Sequence, residues 1–283
     1  MTETHYNSHP PSKGSQEKGL LLALVIAALF FVAFHVSPLW NWSFLIWFKG
    51  LMILLAIVGI INASLLLGYR KALIFLVIAA VIGYSMEQIG IWTGAIFGPY
   101  TYTPLLGAKI IDVPWVIPLC WFAVVYFAHV ITNLIIHANP VAKENTLGKT
   151  AIMAVLTALV ATGLDLSLDP AMSHPEIGAW IWTDGGEYMG VPFKNFQGWV
   201  ITAFLMDFIF RMVTKRFKSR PISDRYRFVA LFAILAWAGL GIGYMLIGNP
   251  VSTQLVSVFA IVLPAMLAAA NLYMRAWNVR AES

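Results

Sequence analysis

Apolar residues along this chain come in long unbroken blocks, neither alternating as in a half-buried strand nor confined to one helical face. Crossing the ~30 Å hydrocarbon layer of a bilayer takes about 20 apolar residues as a helix. Eight blocks meet that length: 19–37, 43–68, 71–90, 113–136, 149–168, 198–214, 226–247 and 252–274. The sixth is the shortest and contains Asp207. The pattern predicts an all-α polytopic membrane helix bundle of about eight transmembrane helices. Residues 1–18 are polar with a Pro-Pro pair and are expected to be a disordered cytoplasmic tail. Residues 19–275 are expected to form a single transmembrane bundle domain, and 276–283 a short cytoplasmic tail. The first block is too long for a signal peptide and lacks a small-residue cleavage pattern, so it is expected to stay.

Charge supplies the orientation. Of 18 Lys and Arg residues, 15 fall in the N-terminal tail, the 69–71 turn, the 137–149 loop, the 211–227 segment and the C-terminus. An eight-helix topology places all five segments on one side, leaving Lys49, Lys109 and Lys194 opposite. By the positive-inside rule both termini are predicted cytoplasmic, in a multi-pass protein of the cell membrane. Composition agrees: 60% of residues are hydrophobic and 11% charged, with a mean hydropathy of +0.78. A soluble domain carries about 25% charged residues, so a soluble enzyme, a disordered chain and a nucleic-acid-binding module are excluded. The net charge of +5 is therefore no sign of a nucleic-acid partner. The single cysteine, Cys120, excludes a disulfide framework and a cysteine-based metal cluster.

Two outer connections, 91–112 and 169–197, are rich in Trp, Tyr, Gly and Pro. Loops this long are functional or disordered, and the aromatic content argues for function. They are also faintly alike: Trp92-Thr93-Gly94 in the first and Val113-Pro114 directly after it parallel Trp182-Thr183-Asp184-Gly185 and Val191-Pro192 in the second. Such a match is compatible with an internal repeat.

Carboxylates within spans are functional candidates by default. Glu87 lies about 24 Å from the inner end of its helix at 1.5 Å per residue, near the outer boundary. Asp165 lies at a similar depth and Asp169 one turn further out. Gly83, Glu87, Gly90 and Gly94 share one helix face; Ala154, Ala158, Ala161, Thr162, Asp165 and Asp169 share another. Small residues mark helix contacts in membranes, so both faces are expected to point inward. Asp165 and Asp169 form an i,i+4 pair whose like charges repel, which favours keeping a proton on at least one. Asp207 has Arg211 one turn on and is expected to be an ordinary ion pair, and His129 with Asn133 a packing pair. No His-x-x-x-His or Glu-x-x-x-His spacing occurs among the outer groups, so no metal is expected. Trp40, Trp42, Trp47, Trp92, Trp115, Trp180, Trp182 and Trp199 all fall at the outer level against Trp277 at the inner one. A symmetric interfacial belt does not explain that excess, whereas an aromatic-walled chamber does. Aromatic faces stabilise cations by about 2 kcal/mol or more when desolvated. Acid beside aromatic walls suits carbocation chemistry.

The run MEQIGIWTGAIFGPYTYTPLLGAKIIDVPWVIPLCW, then TGLDLSLDP, then GAWIWTDGGEYMGVPFKNFQGW, resembles the membrane-integral carotenoid hydratases, which include CruF-type carotenoid 1,2-hydratases and bisanhydrobacterioruberin hydratases. The resemblance covers residues 83–207 and rests on E-x-x-G-x-x-x-G-x-x-F-G-x-Y-x-Y, D-x-x-x-D-P and G-V-P-x-x-N-F-x-G-W in combination. It implies addition of water to the terminal C=C of an acyclic carotenoid end group, giving a tertiary alcohol. Its implied partners are that carotenoid, water, membrane lipids and other carotenoid-pathway enzymes. Role assignments rest on the chemistry instead: Asp165 or Asp169 as general acid and Glu87 with Asn195 holding the water. Trp92, Tyr100, Tyr102, Trp182, Tyr188 and Trp199 would bind the substrate and shield the cation. Such a reaction requires no cofactor. A transporter of a lipophilic or small solute, a polyprenyl-transferase or cyclase, and a purely structural membrane protein are the rival readings. The first should show a polar path across the whole membrane, and the prenyl-transferase a second aspartate-rich segment for metal-diphosphate binding.

Overall fold

The computed structural model describes residues 13–36, 44–217 and 224–281. It is a helix bundle: α1 (Lys13–Val36), α2 (Phe44–Leu66), α3 (Tyr69–Thr93), α4 (Ile117–His137), α5 (Leu147–Ser173), α6 (Phe193–Thr214) and α7 (Asp224–Ile247). The last pass starts as α8 (Ser252–Ser257), runs through a π-helical turn at Val258–Val262 and continues as α9 (Leu263–Ala281). Seven of these passes are long and apolar enough to cross a membrane, and α1 carries a shorter apolar stretch, Lys18–Ala33. The protein is thus a polytopic helical membrane protein. Most of the N-terminal tail lies outside the described residues. Helix continues to Ala281, so the C-terminal segment begins as an extension of α9.

Burial ranks the helices. In α4 78% of the spanning window is buried, against 22% in the last pass, so α4 is the central post and the last pass faces outward. Around α4 the bundle is tied by polar side chains that satisfy one another. Tyr126 donates to Asn62 Oδ1 at 2.6 Å, and Asn62 Nδ2 donates to the Val229 carbonyl at 2.8 Å, linking α2, α4 and α7. Such bonds are worth about 0.6–2 kcal/mol each within a bilayer.

Two helix ends depart from the boundaries that hydrophobicity predicts, and both matter for the site. Helix α5 continues past Asp169 through Pro170 to Ser173. A proline inside a helix withholds its N–H from the carbonyl four residues back. Here that carbonyl is Leu166, and it accepts the Tyr188 hydroxyl at 3.1 Å instead. Helix α6 begins at Phe193, five residues ahead of the apolar block, directly after Pro192 at its N-cap. Lys194, Asn195 and Gln197 make that first turn polar, so hydropathy misses it although the backbone is helical.

The outer connections form a thin lid of extended chain. Helix α3 stops at Gly94, whose left-handed φ of 61° is readily adopted by glycine and whose N–H returns to Gly90 O. The chain then enters β1 (Tyr100–Tyr102), followed by the short pair β2 (Lys109–Ile110) and β3 (Val113–Pro114). Strand β4 (Trp180–Trp182), from the second connection, pairs antiparallel with β1 in the register Tyr100↔Trp182, Thr101↔Ile181, Tyr102↔Trp180. The proposed equivalence of Trp92 with Trp182 does not extend to structure, since Trp92 ends α3 whereas Trp182 lies in β4. The matching Val-Pro pairs, in contrast, do each sit just before the following helix, α4 or α6.

Candidate active site

Side chains alternate in direction along a strand, so Tyr100, Tyr102, Trp180 and Trp182 all leave the two-stranded ribbon on its buried face while Thr101 and Ile181 face out. Four aromatic groups with polar tips thus hang into the bundle. The two phenols reach Glu87 on α3: Tyr102 donates to Oε2 at 2.9 Å, and Tyr100 donates to the same oxygen. The two indoles reach Asp169 on α5, each N–H lying 2.9 Å from Oδ1. Glu87 is hydrogen-bonded 13 residues back from Tyr100, and Asp169 13 residues back from Trp182. Each strand therefore folds back over the carboxyl of its own preceding helix, and strand pairing joins the two units.

A third donor completes each acid. Trp121 on α4 donates its indole N–H to Glu87 Oε1 at 2.8 Å. Asn195, in the unpredicted first turn of α6, donates to Asp169 Oδ2 at 2.9 Å and to Asp165 Oδ2 at 2.7 Å. Asp165 is fully buried, and its Oδ1 has no hydrogen-bond partner. Burial pushes the Tyr100 and Tyr102 phenols well above their ordinary range, and the negative charge of Glu87 adds to the shift, so both stay protonated donors.

These groups line a cavity of about 70 Å³. Glu87, Asp169 and Asn195 form its polar end, Trp121, Trp199 and the four ribbon aromatics wall it, and Met52, Leu55 and Leu240 make its apolar floor. Trp121 and Trp199 pack with ring centroids 4.2 Å apart. Glycines make room for these rings. A Cβ at Gly83 would fall 2.8 Å from the Trp121 ring, and Phe97 is sandwiched between Gly90 and Gly198, where a Cβ would come within 2.8 Å and 2.5 Å of it. The small-residue face of α3 therefore seats aromatic side chains as well as neighbouring helices.

The expected site residues divide accordingly. Glu87, Asp169, Tyr100, Tyr102, Trp182, Asn195 and Trp199 line one cavity, and Asp165 stands directly behind through Asn195. Trp92 is elsewhere: it is 65% exposed, and its indole bonds Asp112 at 2.8 Å. Tyr188 serves the α5 backbone, as described above. Trp40, Trp42 and the side chain of Trp47 lie outside the described residues. Trp121, Trp180, Phe97 and Tyr244 also line the cavity and were not singled out as site residues from sequence. Their signal was position alone, each falling at the outer level of its helix or loop. Lys109, one of the three basic residues placed on the outer side, donates to the Tyr102 carbonyl at 2.6 Å. Among the described residues no group of three His, Cys, Asp or Glu side chains could hold a metal ion.

A polytopic helical membrane protein with paired acids under an aromatic lid is the class that fold and site define. The sequence model of the carotenoid biosynthesis protein family matches residues 40–272, most of the chain, and the protein belongs to that family. It is 28% identical over 180 residues to the bisanhydrobacterioruberin hydratase of Haloarcula japonica, a match covering 62% of this chain and 58% of that one. No solved structure matches.

Proposed function

We propose that the protein is a carotenoid hydratase of the cell membrane, adding water to the terminal C=C of an acyclic carotenoid end group. The observation that carries this reading is an apolar cavity whose only carboxyls among the described residues, Glu87 and Asp169, are held by neutral N–H and O–H donors. Family membership and the hydratase relative support the substrate class and the type of reaction.

Asp169 is the proton donor, because it faces the cavity while Asp165 does not. Asp165 and Asp169 share one neutral amide, an arrangement best accommodated with a proton held by the pair. The O–H bond of Asp169 breaks and its proton goes to the less substituted alkene carbon, whose π electrons form the new C–H bond. The two indole N–H groups on Oδ1 stabilise the carboxylate left behind, which is preorganised electrostatic help. The tertiary cation is shielded by Trp182, Tyr100 and Tyr102. Water held between Glu87 and Asn195 forms the C–O bond and gives its proton to Glu87. One water is added overall, and proton exchange between the two acids resets the site. No cofactor takes part in this scheme.

The test is expression in cells that accumulate acyclic carotenoids, with mass analysis of the pigments. The expected product is heavier by one water per reacted end. Growth in deuterated water should place deuterium on the carbon next to the new tertiary alcohol. Unaltered pigments beside abundant membrane-inserted protein would overturn the reading.

A further inference from the structure

A second, larger cavity of about 660 Å³ lies between α1, α2, the end of α5 and α7. We propose that it is the lateral portal and tail-binding groove for a long linear polyene whose end reaches the acid chamber; this rests on the hydratase reading for the identity of the ligand. Three observations carry it. Met52, Leu240 and Tyr244 line both cavities, so the groove and the chamber meet at these side chains. The groove wall is apolar apart from Tyr244 and Asn249. Its outer residues Leu29, Val32, Leu235 and Leu246 are 64%, 59%, 55% and 66% exposed, so it opens toward the lipid phase, which is where a carotenoid dissolves.

Shape selects a chain rather than a compact ligand. From Leu235 to Ile247 the groove follows α7 for about 18 Å at 1.5 Å per residue. Gly239 and Gly243 contribute no side chain to its wall on α7. An apolar rod lying there directs its tip past Tyr244 to the level of Glu87 and Asp169. Tyr244 is thereby the residue that the reacting end must pass.

The test uses pigment retained by the purified full-length protein, a readout that does not need turnover. Leu235→Trp and Val32→Trp add bulk to the open groove at positions that already face outward, so the core is left as it is. Leu255→Trp, on the outward-facing last pass and 66% exposed, is the control. All are expected to elute as wild type on size exclusion. Each groove variant should lose acyclic carotenoid roughly tenfold, as overfilled apolar sites do, while the control keeps it. Asp169→Asn should keep the pigment and lose only conversion. Pigment that is lost from the groove variants without any hydrated product in the wild type would uphold the groove and sink the hydratase reading. Equal retention by both groove variants and the control, or a wild type that carries no pigment, would overturn the groove and leave the hydratase reading to its own test.

Discussion

The protein buries two groups of carboxylates and treats them in opposite ways. In the inner half, Asp207 accepts from Arg211 Nε at 2.6 Å and lies 2.6 Å from His129 Nδ1. Arg211 also reaches both oxygens of Glu144, at 3.3 and 3.1 Å, and Asn133 Oδ1 at 3.1 Å, while Asn133 donates to His129 Nε2 at 3.0 Å. Every negative charge there has a guanidinium or imidazole beside it. In the outer half, Glu87, Asp165 and Asp169 have, among the described residues, only phenols, indoles and one amide as partners. A cation fixes a carboxylate as a permanent partner, whereas neutral donors leave it free to take up and release a proton. The inner network therefore reads as bundle architecture, and the outer one is the candidate for chemistry.

Breaking each group should give a different kind of defect. Asp169→Asn keeps the shape and removes the acid, so hydration should fall by about 10²–10⁴-fold with little change in thermal unfolding in detergent; near-native turnover would end its assignment as donor. Arg211→Met leaves Asp207 and Glu144 without their shared cation, and removing one member of a buried pair costs about 3–5 kcal/mol. That variant should aggregate or melt early, and a normal melting curve would erase the contrast between the two groups. Tyr188→Phe strips the Leu166 carbonyl of its donor beside Pro170, a loss of about 1–3 kcal/mol. Its effect should appear in stability first and in the Michaelis constant little, unlike a residue touching substrate. Trp92→Phe, at an exposed site outside the cavity, should stay within about 0.5 kcal/mol of wild type in either measurement. A large activity loss there would show that the chamber extends beyond its described walls.

The helix bundle was legible along the chain because a bilayer imposes a length and an apolar composition on every segment that crosses it. Depth was legible too: a fixed rise per residue places Glu87, Asp165 and Asp169 at one level, and the helical repeat groups them with small residues. Asp207 and Arg211, one turn apart on α6, were readable as an ion pair for the same local reason. Pairings between distant segments were not. Nothing in the spacing says that Tyr-x-Tyr folds onto Glu87 and Trp-x-Trp onto Asp169, or that Trp121 and Asn195 supply the third donors. Nor does it separate Trp92 and Tyr188 from the aromatics that wall the cavity. Those choices depend on the β1–β4 register and on a polar helical turn that hydropathy passes over. Membrane-spanning helices follow from each segment's own contact with lipid, while the acid chamber exists only once segments far apart in the chain meet and satisfy one another's buried polar groups.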